Sequence, residues 1–184
     1  MSTIYTGRLV LRPFHQGDAE AMFRNWTYDE RVARYCRWYP HIDIDSTYEL
    51  LELYLSEYTD TFDYRWAITL ADHDEPIGCI DVVGFADEGR TPEIGYVLGN
   101  SYWGKGIMTE ALRAVIGKLF DDGYERVIAC HRIENPASGR VMENAGMHFI
   151  GESKVNMKFG SARLCTVKNY EICKEHYNEQ DMHC

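Results

Sequence analysis

The chain has 184 residues, enough for one domain with a single substantial core. Its 45% apolar and 26% charged content is that of a folded chain in water. It has no run of about 18 apolar residues that would span a membrane, and its N-terminus lacks the basic-then-apolar profile of a signal peptide, so the expected location is the cytoplasm. A net charge of −10 argues against a nucleic-acid partner, because binding phosphates needs a basic face.

Periodicity and turn residues predict these elements in chain order. Strand Arg8–Arg12 is followed by helix Gly17–Trp26, a short helical piece around Asp29–Tyr35 and helix Ser46–Tyr58. Strands Tyr64–Leu70, Pro76–Phe85 and Thr91–Leu98 lead to a long helix, Thr109–Asp121. Strand Arg126–His131, helix Pro136–Ala145 and strands His148–Asn156 and Leu164–Ile172 complete the order, with Gly160-Ser161 in the last hairpin turn. No linker, repeat or low-complexity segment interrupts it, so residues 1–184 read as one domain. A mixed sheet with helices on both faces follows.

Cysteines at 36, 79, 130, 165, 173 and 184 include no C-x-x-C pair, and they read as reduced thiols filling the core. No His, Cys and carboxylate spacing resembles a metal site, and the terminal His183-Cys184 does not make one. Charge is unevenly spread. From Asn100 to Arg140, Lys105, Arg113, Lys118, Arg126, Arg132 and Arg140 roughly balance Glu110, Asp121, Asp122, Glu125 and Glu134. From His41 to Tyr64 there are Asp43, Asp45, Glu49, Glu52, Glu57, Asp60 and Asp63, with no Lys or Arg. Nearby Tyr35, Trp38, Tyr39 and Tyr48 read as core rather than as pocket lining.

The most informative stretch is Glu93 to Leu112. A strand ends at Gly99, and apolar residues at Ala111, Leu112, Val115, Ile116, Leu119 and Phe120 then fall on one helical face. Between them stands Gly104-Lys105-Gly106. Glycines before a helix allow close backbone approach, and the free N–H groups and dipole of the helix start attract an anion. Two phosphate cradles compete. Gly99-Asn-Ser-Tyr-Trp-Gly104-Lys105 matches G-x-x-x-x-G-K-[ST] up to Gly106, which lacks the hydroxyl that would hold Mg²⁺. Ser101-Tyr-Trp-Gly104-Lys-Gly106 resembles instead the pyrophosphate loop [QR]-x-x-G-x-[GA] of the GNAT superfamily of N-acetyltransferases, with Ser101 in place of Gln or Arg.

The rest of the chain favours the second cradle. Asn135-Pro-Ala-Ser138, followed by a helix and Gly146-Met147, is similar to the RimJ/RimL branch of that superfamily, as are Arg8-Leu-Val-Leu-Arg12-Pro13 and Glu93-Ile-Gly-Tyr96. The resemblance implies an α/β (α+β) GNAT fold, with a mixed, mostly antiparallel sheet of about six to seven strands. It implies transfer of acetyl from acetyl-CoA directly to a primary amine, on a peptide N-terminus or a small cationic molecule, with no metal. A homodimer is in keeping with the family.

Carried onto this sequence, Tyr96, Val97 and Leu98 would face pantetheine, with the N–H of Val97 or Leu98 polarising the thioester carbonyl. Gly104, Lys105, Gly106, Ile107, Met108 and Thr109 would hold the pyrophosphate, and Asn135 would contact the cofactor. Many members place a Tyr, acting as acid for the departing thiolate, where this chain has Met142. In the branch pattern Ser138 serves instead, although Asn135, Pro136 and Ser138 also spell a helix start. Strand alternation puts Glu93, Gly95 and Val97 on one face, which makes Glu93 the candidate base, acting through water. Asp81, where the branch usually has a small residue, is a candidate second carboxylate toward substrate. The alternatives are an acyl-CoA-binding sensor without catalysis, consistent with Met142, and a Mg-nucleotide P-loop protein.

Overall fold

The computed structural model describes residues 2–58 and 64–181. The elements in chain order are β1 (Ile4–Tyr5), β2 (Leu9–Arg12), α1 (Ala19–Met22), α2 (Glu30–Ala33), α3 (Asp45–Glu57), β3 (Arg65–Leu70), β4 (His73–Ala86) and β5 (Thr91–Leu98). Then come α4 (Ile107–Asp121), β6 (Arg126–Arg132), α5 (Pro136–Asn144), β7 (His148–Asn156), β8 (Leu164–Cys173) and α6 (Lys174–Asp181). One eight-stranded sheet runs in the order β1-β2-β3-β4-β5-β6-β8-β7. Every neighbouring pair is antiparallel except β5 and β6, which are parallel.

The sheet therefore matches the expected class but has eight strands. The extra strand, β1, is two residues long and pairs Ile4 with Leu11. Two residues carry too little alternation to register as a strand. The helix expected over Gly17–Trp26 is broken into a 3₁₀ turn at Gln16–Asp18, α1, and a π turn at Phe23–Thr27. Helical periodicity is blind to such changes of pitch.

The sheet buries two cores. On one face α4 presents Ala111, Leu112, Val115, Ile116, Leu119 and Phe120, all buried as the spacing requires, against Leu9, Leu11, Trp66, Ile80, Ile94 and Val127. On the other face Met22, Trp26, Val32 and Leu51 pack on Ala67 and Cys79. No helix among the described residues is long and apolar enough to cross a membrane.

One break in the sheet shapes the site. The parallel pairing of β5 with β6 covers only Glu93↔Ile128 and Ile94↔Ala129, and then the strands part. β6 stays hydrogen-bonded to β8 as far as Arg132↔Val167, while β5 stays on β4 as far as Leu98↔Gly78. The result is a wedge-shaped opening with Gly95–Leu98 on one wall and Cys130–Arg132 on the other.

Candidate active site

The wedge runs into the glycine loop. Gly99 donates its N–H to the Ile77 carbonyl at 2.8 Å, and the antiparallel register Cys79↔Val97 continues that alternation one step back. Val97 therefore turns its N–H into the β4 ladder, while Tyr96 and Leu98 turn theirs toward the opening. Of the two sequence candidates for polarising a carbonyl, Leu98 has the freer N–H. Its own carbonyl accepts the Trp103 indole N–H at 2.7 Å, which ties the loop to the end of the strand.

Gly104 and Gly106 both adopt φ +73°, the left-handed region where a side chain is strained. The helix starts at Ile107 rather than at Thr109, because Gly106 is its N-cap and Ile107 and Met108 are already buried in its first turn. The first backbone bond of the helix runs from Glu110 N–H to the Gly106 carbonyl at 3.1 Å, so the N–H groups of Ile107, Met108 and Thr109 have no partner within the helix. A Cβ at Gly104 would meet nothing within 4 Å, so the loop backbone stands open at that residue. Donors, dipole and open backbone fit the pyrophosphate of a nucleotide coenzyme. A P-loop requires a parallel sheet around its strand, and this sheet is parallel at one pair only.

A brace that sequence reading missed holds the loop. Arg8 Nη1 donates to the Lys105 carbonyl at 2.9 Å, and Arg8 Nε to Glu110 Oε2 at 2.7 Å. Thr6 Oγ1 and Arg8 N–H both donate to Glu110 Oε1, at 2.6 and 2.9 Å. Burial pushes the Glu110 carboxyl upward, but the bonds from Thr6 and Arg8 outweigh it and hold the group below the ordinary carboxylate range. A depressed carboxylate stabilises the fold above its unfolded pKa. The brace is thus intact at neutral pH and is lost as the pH falls through the lowered folded value. Glu110→Gln is expected to weaken binding at the loop about 3- to 10-fold at pH 7, the difference between a charge-assisted and a neutral hydrogen bond, and titration calorimetry reads it directly. The clue in the sequence was Arg8, which opens the Arg-Leu-x-Leu-Arg-Pro segment, but nothing there names its partner 102 residues away.

Across the wedge, Asn135 is the N-cap of α5 and Pro136 its first residue, and Asn135 Oδ1 accepts the Ser138 N–H at 3.4 Å. The cap uses only the Ser138 N–H, and the Ser138 hydroxyl is engaged elsewhere. The Tyr96 hydroxyl lies 2.9 Å from Ser138 Oγ and 3.0 Å from the Ser138 carbonyl. Sequence reading assigned Tyr96 to pantetheine and did not pair it with Ser138. Met142 is 1% exposed and belongs to the core, so α5 uses that position for packing. Buried His131 lies under the same helix: a Cβ at Gly139 would come within 2.6 Å of its Nε2.

Glu93, Gly95 and Val97 do share a face, opposite Ile94, Tyr96 and Leu98. Half-buried Glu93 sits at the apex of the wedge, where its Oε1 accepts from Cys130 Sγ at 3.4 Å. Burial first, and then the Glu93 charge, push the Cys130 thiol up to about 12, so it stays protonated. Asp81 has a role that sequence reading lacked. Its Oδ2 accepts from Arg65 Nε at 3.0 Å, and Arg65 also pairs with Glu57 and lies over the Tyr54 ring. Burial pushes the Asp81 carboxyl up, and Arg65 pulls it back. The pair links β3 to β4 beneath α3.

The acidic segment divides. Asp45, Glu49 and Glu52 are exposed on α3, Asp43 accepts from Ser46, and Glu57 is paired; Asp60 and Asp63 lie outside the described residues. Of the four aromatics read as core, only Trp38 joins it; Tyr39 and Tyr48 are exposed, and Tyr35 lies half-buried against Arg34 and Arg132. The β7–β8 hairpin straps this loop down. Lys158 Nζ donates to the carbonyls of Ala33 and Trp38 at 2.6 and 2.7 Å, and Phe159 N–H to that of Arg37 at 2.7 Å.

Comparison with known proteins agrees with this geometry. Residues 8–148 match the acetyltransferase (GNAT) domain family. The chain is 28% identical to the uncharacterised N-acetyltransferase p20 of Bacillus licheniformis over 182 residues, covering 96% of this chain and 99% of that protein. It is 41% identical to the ribosomal-protein-serine acetyltransferase of Escherichia coli over 70 residues, 37% of this chain and 38% of that one. Among solved structures, a GNAT-family acetyltransferase from Bacillus anthracis superposes with a TM-score of 0.81 at 26% identity, covering 95% of this chain and 99% of that one. The match spans the wedge, the glycine loop and α5 together, and the chain belongs to the acetyltransferase (GNAT) family.

Proposed function

We propose that the chain is a single cytoplasmic N-acetyltransferase domain that moves acetyl from acetyl-CoA directly to a primary amine, in the manner of the RimJ/RimL branch. The observation that carries this reading is the wedge between β5 and β6, which leads into the left-handed glycines before α4. A pantetheine arm along Tyr96, Val97 and Leu98 and a pyrophosphate over Gly104, Lys105, Gly106, Ile107, Met108 and Thr109 would lay the thioester along the β5 wall of the wedge. There Leu98 N–H supplies a donor for its oxygen. Asn135 borders the same opening, with its amide N–H₂ available to the coenzyme. Support for the branch comes from Asn135-Pro-Ala-Ser138 and from the partial likeness to the ribosomal-protein-serine acetyltransferase. Five described cysteines are free, in keeping with a reducing compartment.

Glu93 accepts the amine's proton through water, and Ser138 gives a hydrogen bond to the departing thiolate. Glu93→Gln keeps the shape and removes the base, so kcat is expected to fall about 10²-fold and the acidic limb of its pH profile to move. An unchanged profile would count against Glu93. Once the base is gone, an acceptor supplied already deprotonated at high pH should recover much of the rate.

The exposed acids of α3 support an acceptor that carries positive charge beyond its reacting amine. Its KM is expected to rise with ionic strength while the KM for acetyl-CoA follows a different course. An acceptor KM indifferent to salt would speak against a charged acceptor.

A further inference from the structure

We infer that Tyr96 is a positioning residue for Ser138, holding the serine hydroxyl at the mouth of the wedge and releasing its proton toward the departing thiolate. This rests on the reading of Ser138 given above. The phenol has one proton and two acceptors within reach, the Ser138 carbonyl at 3.0 Å and Ser138 Oγ at 2.9 Å. A carbonyl only accepts, so two arrangements exist. When the phenol donates to the carbonyl, the serine hydroxyl donates to the phenol oxygen and its proton is occupied. When the phenol donates to Oγ, the serine proton is free for another acceptor. Passing between them moves hydrogens alone.

A thiolate arriving beside Ser138 favours the second arrangement, because a hydrogen bond to an anion is stronger than one to a neutral phenol. The donor is therefore satisfied while the site is resting and available when charge develops on sulfur.

Four features of the chain fit this role. Tyr96 stands on the β5 wall and Ser138 in the first turn of α5, 42 positions apart, so the contact ties that wall of the wedge to the helix. The Tyr96 ring packs at the edge of the core, which fixes where its hydroxyl can go. Burial pushes the phenol above its ordinary value, so it remains a donor at any working pH. Met142, buried in the core, leaves α5 without a phenol of its own at that position, and β5 brings one to Ser138.

The test is a double-mutant cycle with Tyr96→Phe and Ser138→Ala on the full chain, read as kcat and as KM for acetyl-CoA. Tyr96→Phe keeps the ring and deletes only the hydroxyl. It is expected to lower kcat about tenfold with KM for acetyl-CoA within about twofold, a split that a purely structural contact between β5 and α5 would not give. Ser138→Ala is expected to lower kcat by at least as much, and the double variant to be no slower than Ser138→Ala alone. Independent, multiplicative losses would overturn the inference, as would an unchanged kcat in Tyr96→Phe beside a slow Ser138→Ala. If Ser138→Ala turns over at the full rate, the reading of Ser138 fails and the role of Tyr96 fails with it.

Discussion

Gly106→Val is expected to raise the dissociation constant for acetyl-CoA about 30-fold or more while leaving the fold intact. The residue sits at φ +73°, where any L side chain is strained by about 1–2 kcal/mol and a β-branched one by more. The loop would relieve that strain by rotating out of the left-handed region. Doing so moves the N-cap of α4 and turns the N–H groups of Ile107, Met108 and Thr109 away from a common point. A Cβ here would also lie 3.5 Å from Arg8 Nη2, so the side chain would crowd the brace that fixes the Lys105 carbonyl. Residues 103–106 are exposed, so little buried surface is lost and the melting temperature should change little. Calorimetric titration with acetyl-CoA and a thermal melt on the same preparation separate the two effects. Unaltered affinity would mean that the glycine loop does not carry the coenzyme.

Gly78→Ala is expected to have the largest effect on stability. A Cβ at Gly78 would stand 2.4 Å from the Val97 carbonyl oxygen and 3.1 Å from Leu98 Cα, and backbone cannot step aside as a flexible side chain can. β4 and β5 would have to separate at the end of β5, where it leads into the glycine loop. The expected cost is about 3 kcal/mol or more, roughly a 6–12 °C fall in melting temperature for a chain of this length. Gly84 lies on the same strand with nothing within 4 Å of its would-be Cβ and no positive φ, so Gly84→Ala should be nearly neutral. Equal melting temperatures for the two variants would show that β4 and β5 do not meet in this register.

Much of this architecture was legible in the chain because its signals are local. The apolar stripe from Ala111 to Phe120 fixed α4 and its buried face, and Gly104 and Gly106 marked the loop before it. Alternation along β5 put Glu93 and Tyr96 on opposite faces. What stayed hidden depends on contacts between distant residues. Arg8 and Glu110 are 102 positions apart, Tyr96 and Ser138 are 42 apart, and no periodicity links either pair. Asp81 looked like a candidate for substrate because its partner Arg65 belongs to another strand, and the pairing of β3 with β4 brings them together. Exposure of Tyr39 and Tyr48 was misread for the same reason, since an aromatic residue announces apolar area but not the side of a loop on which it falls.

What the glycine loop holds decides between the two phosphate cradles. Titration of the full chain with acetyl-CoA, beside a parallel titration with Mg-ATP, measures it. Binding of acetyl-CoA in about the micromolar range with no heat from Mg-ATP is the predicted result. Binding of Mg-ATP without acetyl-CoA would contradict the account, and with it the roles given to Glu93, Tyr96 and Ser138.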